Sequence, residues 1–185
     1  MSDAERVRLF VALELPAQAR EPLVAWRSEA VRGLDGLRLI AADDLHVTLC
    51  FLGWRANSET GAIAAACAQA AARWPGGELE LGPAIWLPSR RPRVLAVELI
   101  DRQGGIGSLQ GALAAGLEAG GWYRPEQRPF RTHVSVARVR RAARIPRREP
   151  VPPPSLGFPA GPVTLFRSRL SPSGARYEAL GRFGS

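Results

Sequence analysis

The chain has 185 residues, 46% of them hydrophobic, which is enough for one domain with a buried core and no need of disulfide staples. Its net charge of +8 rests on 25 basic residues, every one of them arginine. The lack of lysine excludes a phosphate-binding loop of the GK[ST] kind, Schiff-base chemistry and nucleotidyl transfer through a lysyl intermediate.

In chain order, Arg8 to Pro16 alternates and ends at proline, which predicts a strand. Ala17 to Arg32 sets Leu23, Trp26, Ala30 and Val31 near helical spacing. A short strand "LRLIA" and a longer one from Leu45 to Trp54, closed by a glycine, follow. Ser58 is placed to cap an Ala-rich helix reaching about Arg73. Two strands, "ELELGPAIWLP" and Arg93 to Ile100, flank the turn "PSRRPR". Ile106, Leu109, Leu113 and Leu117 mark one face of a helix that stops at Gly120 and Gly121. "FRTHVSVARV" reads as a strand, "RRAARIPRREPVPPPS" as a loop, and "VTLFRSRLSP" and "ARYEALGRF" as a closing hairpin turned by "SPSG". Strand pairs separated by helices predict an α+β protein with mainly antiparallel sheets.

Cys50 lies in an alternating apolar run and Cys67 in an alanine-rich one, with no CxxC spacing, so both read as reduced core thiols. No apolar run reaches the roughly 20 residues a bilayer requires, and the first residues carry no signal-peptide pattern. The expectation is a cytoplasmic protein, a monomer without membrane association or obligate protein partner.

Both histidines of the chain stand in matching tetrapeptides, "HVTL" at His46 and "HVSV" at His133, close to half the chain apart. On a strand, residues i and i+2 share a face, so His46 projects with Thr48, and His133 with Ser135. Val47, Leu49, Val134 and Val136 then point to the buried side. Two such strands side by side form a surface with two imidazoles and two hydroxyls. Histidine can take or give a proton at neutral pH, and hydroxyls can donate to phosphate oxygens, so the set suits phosphodiester cleavage with neither metal nor cofactor. Arg131, expected on the strand and face of His133, is a candidate for binding phosphate. Between Arg124 and Arg148, nine arginines stand against one acid, Glu126, the pattern of a surface for an anionic backbone. Two other readings stay open at this point. Zinc could use His46 and His133 with Asp43 or Asp44, although no HxH or HExxH spacing is present. Alternatively the arginine run could make the protein an RNA-binding module without chemistry.

The paired motifs and their flanks, "RLFVALELP", "LHVTLCFLG", "RPRVLAVEL", "RPFRTHVSVAR" and "LFRSRLSPSGARYEAL", resemble the two-histidine (2H) phosphoesterases. Within these they are similar to the RNA 2′,3′-cyclic phosphodiesterases of the LigT/ThpR type, historically called 2′-5′ RNA ligases. The resemblance covers nearly the whole chain, residues 1–185 as one domain. It implies a bilobal fold of two antiparallel sheets with flanking helices, related by pseudo-twofold symmetry, with the active site in the cleft between lobes. The implied activity is metal-independent hydrolysis of an RNA-terminal 2′,3′-cyclic phosphate to a 2′-phosphomonoester. In that scheme His46 is the proton donor and His133 the proton acceptor, while Thr48, Ser135 and Arg131 hold phosphate. Phe10 and Phe51 are candidate stacking surfaces for a base. A related cyclic nucleotide-derived phosphodiester is the alternative substrate. Cys50 stands where relatives often carry a basic residue, a departure that bears on RNA contacts.

Overall fold

The computed structural model describes residues 5–145, 149–171 and 174–184. Among these residues the strands are β1 (Arg6–Glu14), β2 (Leu37–Leu39), β3 (His46–Ala56), β4 (Glu78–Leu87), β5 (Val94–Ile100), β6 (His133–Val139), β7 (Gly157–Pro159), β8 (Val163–Ser171) and β9 (Gly174–Phe183). Among the same residues the α-helices are α1 (Ala17–Ala30), α2 (Thr60–Ala71) and α3 (Gly105–Ala119). Pro172 and Ser173 of the "SPSG" turn, and Arg147 and Arg148 of the arginine run, lie outside the described residues.

All strands pair antiparallel in one sheet of order β7-β4-β5-β6-β3-β1-β8-β9, with β2 added on β6. The two sheets expected from the sequence are corrected to this single sheet. Its halves meet where β3 pairs with β6, through one residue pair, Val47 with Val134. Joining there leaves fewer main-chain N–H and C=O groups orphaned beside the core than two separate inner edges would.

The helices tie the halves together. α1 follows β1 yet packs on β6 and β7, whereas α3 follows β5 and packs against β3 and α2. Each therefore crosses the β3/β6 seam, and the apolar residues form one contiguous buried cluster. Ile106, Leu109, Leu113 and Leu117 on α3 are all 2% exposed or less, as their spacing requires. Gly121 then takes a φ of +75°, a left-handed conformation natural to glycine after a helix C-terminus.

Three local expectations are corrected and one short strand is added. Ser58 does not cap α2, which begins without a side-chain cap directly after a 3-10 turn (Asn57–Glu59); the Glu59 carboxylate accepts the Ala56 N–H at 2.8 Å at the start of that turn. β6 begins at His133, not at Phe130, so Arg131 precedes the strand. β7 lies just past the predicted loop, where three residues leave no periodicity to read, although Phe158 within it is 1% exposed. β3 also runs on past Gly53, whose φ of +71° accommodates a bulge rather than ending the strand.

Urea unfolding should separate the crossing helix from the rim. Leu117→Ala, at a side chain with no exposed area, is expected to lose about 2–5 kcal/mol. Leu170→Ala, at a residue 63% exposed, should stay within about 0.5 kcal/mol of the parent.

Candidate active site

Val47 and Val134 face the helices and have no exposed area. Their neighbours His46, Thr48, His133 and Ser135 therefore rise on the opposite face and line one small cavity. An antiparallel pair has a local twofold axis through the paired residues, and here it exchanges His46 with His133 and Thr48 with Ser135. The antiparallel sense sets each imidazole across from the hydroxyl of the other motif.

Beyond the motifs both strands bulge in the same way. The β3 residues that pair with consecutive residues of β1 step from Cys50 to Thr48 past Leu49, and the β6 residues that pair with consecutive residues of β5 step from Ala137 to Ser135 past Val136. The inserted residue shifts the alternation by one, so Cys50 and Ala137 turn inward while Phe51 and Arg138 turn toward the site. Arg138 is the residue that strict alternation missed; it lines the cavity with both histidines. The legible signal was the shared spacing H-x-[ST]-x-x, but only the bulge shows which face its next residue takes.

Both rings are oriented by main-chain carbonyls. His46 Nδ1 donates to Asp44 O at 2.7 Å, and His133 Nδ1 donates to Arg131 O at 2.7 Å. Each Nε2 is thereby left for chemistry; that of His46 lies 3.1 Å from Thr48 Oγ1 and, in the neutral ring, accepts its O–H. Protein surrounds His46 on nearly every side but the cleft. Burial, with smaller contributions from Arg138 and His133, lowers its pKa from 6.5 to about 4, against the opposing effect of the Asp44 carbonyl.

The segment that delivers His46 is held from below. Arg27 on α1, 6% exposed, donates Nη1 to Ile40 O and, at 3.5 Å, to Val136 O. Ile40 N also donates to Val136 O at 3.1 Å. One buried guanidinium thus joins the loop leading to His46 with the bulge that aims Arg138.

Aromatic rings surround His46. Phe10 lies 5.0 Å and Tyr177 5.4 Å from its ring centroid, and Phe10 stacks with Phe51 at 5.9 Å and Phe166 at 5.1 Å. Phe10 is only 2% exposed, so it backs the wall rather than presenting a face. Phe51 is 48% exposed, but the Arg8 guanidinium sits 4.9 Å above its ring. Tyr177, not singled out in the sequence, offers the half-buried ring that borders the histidine cavity. Phe10, Phe51 and Tyr177 line a wider cleft of about 500 Å³ that also includes His46 and Thr48.

Arg131 stands apart from both cavities, its guanidinium bonded to Glu98 and its carbonyl to His133. The arginine run does not act as one patch. Arg138 faces the site, Arg140 bonds Leu37 O, and Arg128 lies exposed near Glu126. Cys50 faces the core, where burial pushes its thiol up to about 12, so its departure from a basic residue does not alter the cleft surface. Among the described residues, no group of three or more His, Cys, Asp or Glu is placed to hold a metal ion. No described helix is long and apolar enough to cross a membrane.

Because the chain has two histidines, ring titration by NMR resolves each one. The His46 signal should titrate near pH 4, and Arg138→Gln should raise that value by removing a like charge. A histidine whose folded pKa lies below its unfolded value binds fewer protons when folded, so its contribution is complete above pH 6.5 and is lost as pH falls toward 4. Chemical denaturation should show wild type losing up to about 1.4 kcal/mol per pH unit across that window relative to His46→Gln.

Comparison with known proteins agrees with this geometry. Residues 15–169 match the model of the 2′-5′ RNA ligase superfamily. A protein of Escherichia coli (strain K12) named RNA 2′,3′-cyclic phosphodiesterase is 31% identical over 183 residues, covering 97% of each chain. Among solved structures, TT0787 of Thermus thermophilus superposes with a TM-score of 0.82 at 30% identity, covering 95% of this chain and 96% of that one. The E. coli LigT complex with 3′-AMP gives 0.75 at 32% identity, covering 97% and 98%. With its two H-x-[ST] strands paired side by side and a family match over most of its length, the chain belongs to the 2′-5′ RNA ligase superfamily.

Proposed function

We propose that the protein hydrolyses the 2′,3′-cyclic phosphate at an RNA end to a 2′-phosphomonoester, by two-histidine acid/base catalysis without a metal. The observation that carries this reading is the convergence of His46, Thr48, His133, Ser135 and Arg138 on one cavity across the Val47–Val134 pair. The names of the relatives support the same substrate class. In this reading the chain works as one domain, its halves acting as lobes related by the axis through that pair, with the site in the groove between them.

In-line displacement at phosphorus needs the attacking and leaving oxygens on opposite sides. The aromatic rings gather around His46, which favours that side for the nucleoside and hence for the departing ribose oxygen. Water then enters on the side of His133. His133 Nε2 takes the water proton as oxygen bonds to phosphorus, the bond from phosphorus to the 3′ oxygen breaks, and His46 Nε2–H protonates that oxygen. Thr48 and Ser135 donate to the non-bridging oxygens.

The free protein holds His46 neutral at pH 7, so an acid role needs the proton to arrive with the substrate. A phosphodiester anion between His46 and Arg138 supplies the favourable charge that does this. Arg138 takes the phosphate-binding role expected of Arg131, which instead orients His133 through its carbonyl.

Adenosine 2′,3′-cyclic phosphate and a short RNA with a cyclic end, incubated in excess EDTA, should give the 2′-phosphate. His46→Ala and His133→Ala should each cost about 10²- to 10⁴-fold in rate. Turnover that appears only with added divalent metal would make the histidines ligands. Salt-sensitive RNA binding without turnover under either condition would leave a binding module.

A further inference from the structure

Outward from the histidines, β1 and β3 present a fixed order of chemistry. Thr48 pairs with Ala12, Phe51 with Phe10, and Trp54 with Arg8. Arg8 lies two residues before Phe10 and lines the same cleft as His46, Thr48 and Phe51. The order is therefore phosphate-binding groups, then aromatic rings, then a guanidinium. An RNA strand has the same alternation of phosphate, nucleoside and phosphate.

Arg8 is held by an aromatic ring and not by an acid. Most others near acids are paired, such as Arg131 with Glu98, Arg167 with Glu5 and Arg182 with Glu14. Among the described residues no carboxylate or carbonyl engages Arg8; what holds it is the Phe51 ring beneath it. This cation–π contact holds the guanidinium beside the ring while its N–H donors stay available to a phosphate in the cleft.

We propose that Arg8, seated on Phe51, binds the phosphate on the 5′ side of the terminal nucleotide, so that the cleft selects RNA ends over free mononucleoside cyclic phosphates. This rests on the proposed cyclic phosphodiesterase reading. The terminal nucleoside lies along Tyr177 with its cyclic phosphate between the histidines, and its 5′ phosphate reaches Arg8. Adenosine 2′,3′-cyclic phosphate ends in a 5′ hydroxyl and cannot make this contact. The same ring with a 5′ phosphate can, as can a diadenylate with a cyclic 3′ end.

Rates on these three substrates test the proposal. Wild type should show kcat/KM about tenfold higher for the two that carry the 5′ phosphate, the size of one charged hydrogen bond. Arg8→Gln should bring that ratio toward one by raising KM for those two, and Arg8→Lys should restore part of it. A ratio that persists in Arg8→Gln, or an equal loss on all three substrates, overturns the proposal. If wild type opens none of the three rings, the reading of the catalytic site fails, and binding decides separately on Arg8. Calorimetry with adenosine 2′-phosphate and adenosine 2′,5′-bisphosphate would then have to show an affinity gain for the bisphosphate that Arg8→Gln removes; no such gain overturns it.

Discussion

One residue pair governs the architecture. Where β3 meets β6, Val47 and Val134 bring two half-sheets into register and set the twofold relation between the motifs. Their side chains have no exposed area, so the adjacent histidines and hydroxyls have the other face of the sheet available. A slip of one residue at this seam would turn the imidazoles into the core. The crossing helices α1 and α3 oppose such a slip, because each is covalently attached to one half and packed on the other.

The local symmetry is broken where the chemistry requires it. After the bulges, the first motif presents Phe51 and the second presents Arg138. One side of the cavity is consequently aromatic and the other cationic, a distinction that two identical H-x-[ST] motifs could not provide. A nucleoside phosphate has the same polarity, an aromatic base joined to an anion. Burial on the aromatic side also lowers the pKa of His46 to about 4.

Arg27 shows how the scaffold supports this arrangement at some energetic cost. A buried guanidinium is unfavourable unless its donors are satisfied; here Nη1 reaches the carbonyls of Ile40 and Val136, while Nε is buried with no hydrogen-bond partner among the described residues. Those two segments carry Asp44, which orients His46, and the bulge that aims Arg138. The cation thus fixes two stretches of backbone beside the seam from a single point.

Local patterning in the sequence determined the helices, most strands and the pairing of each histidine with its hydroxyl, because period 3.6 and period 2 depend on neighbouring residues alone. His46, Thr48, His133 and Ser135 were legible for that reason. Tertiary structure decided the rest. Strand pairing across the seam made one sheet of an expected two, and bulges set by partner strands turned Arg138 toward the site. An ion pair with Glu98 drew Arg131 away, and packing against neighbouring strands buried Phe10 while leaving Phe51 exposed. Each of these outcomes depends on contacts between residues remote in sequence, which no local pattern encodes.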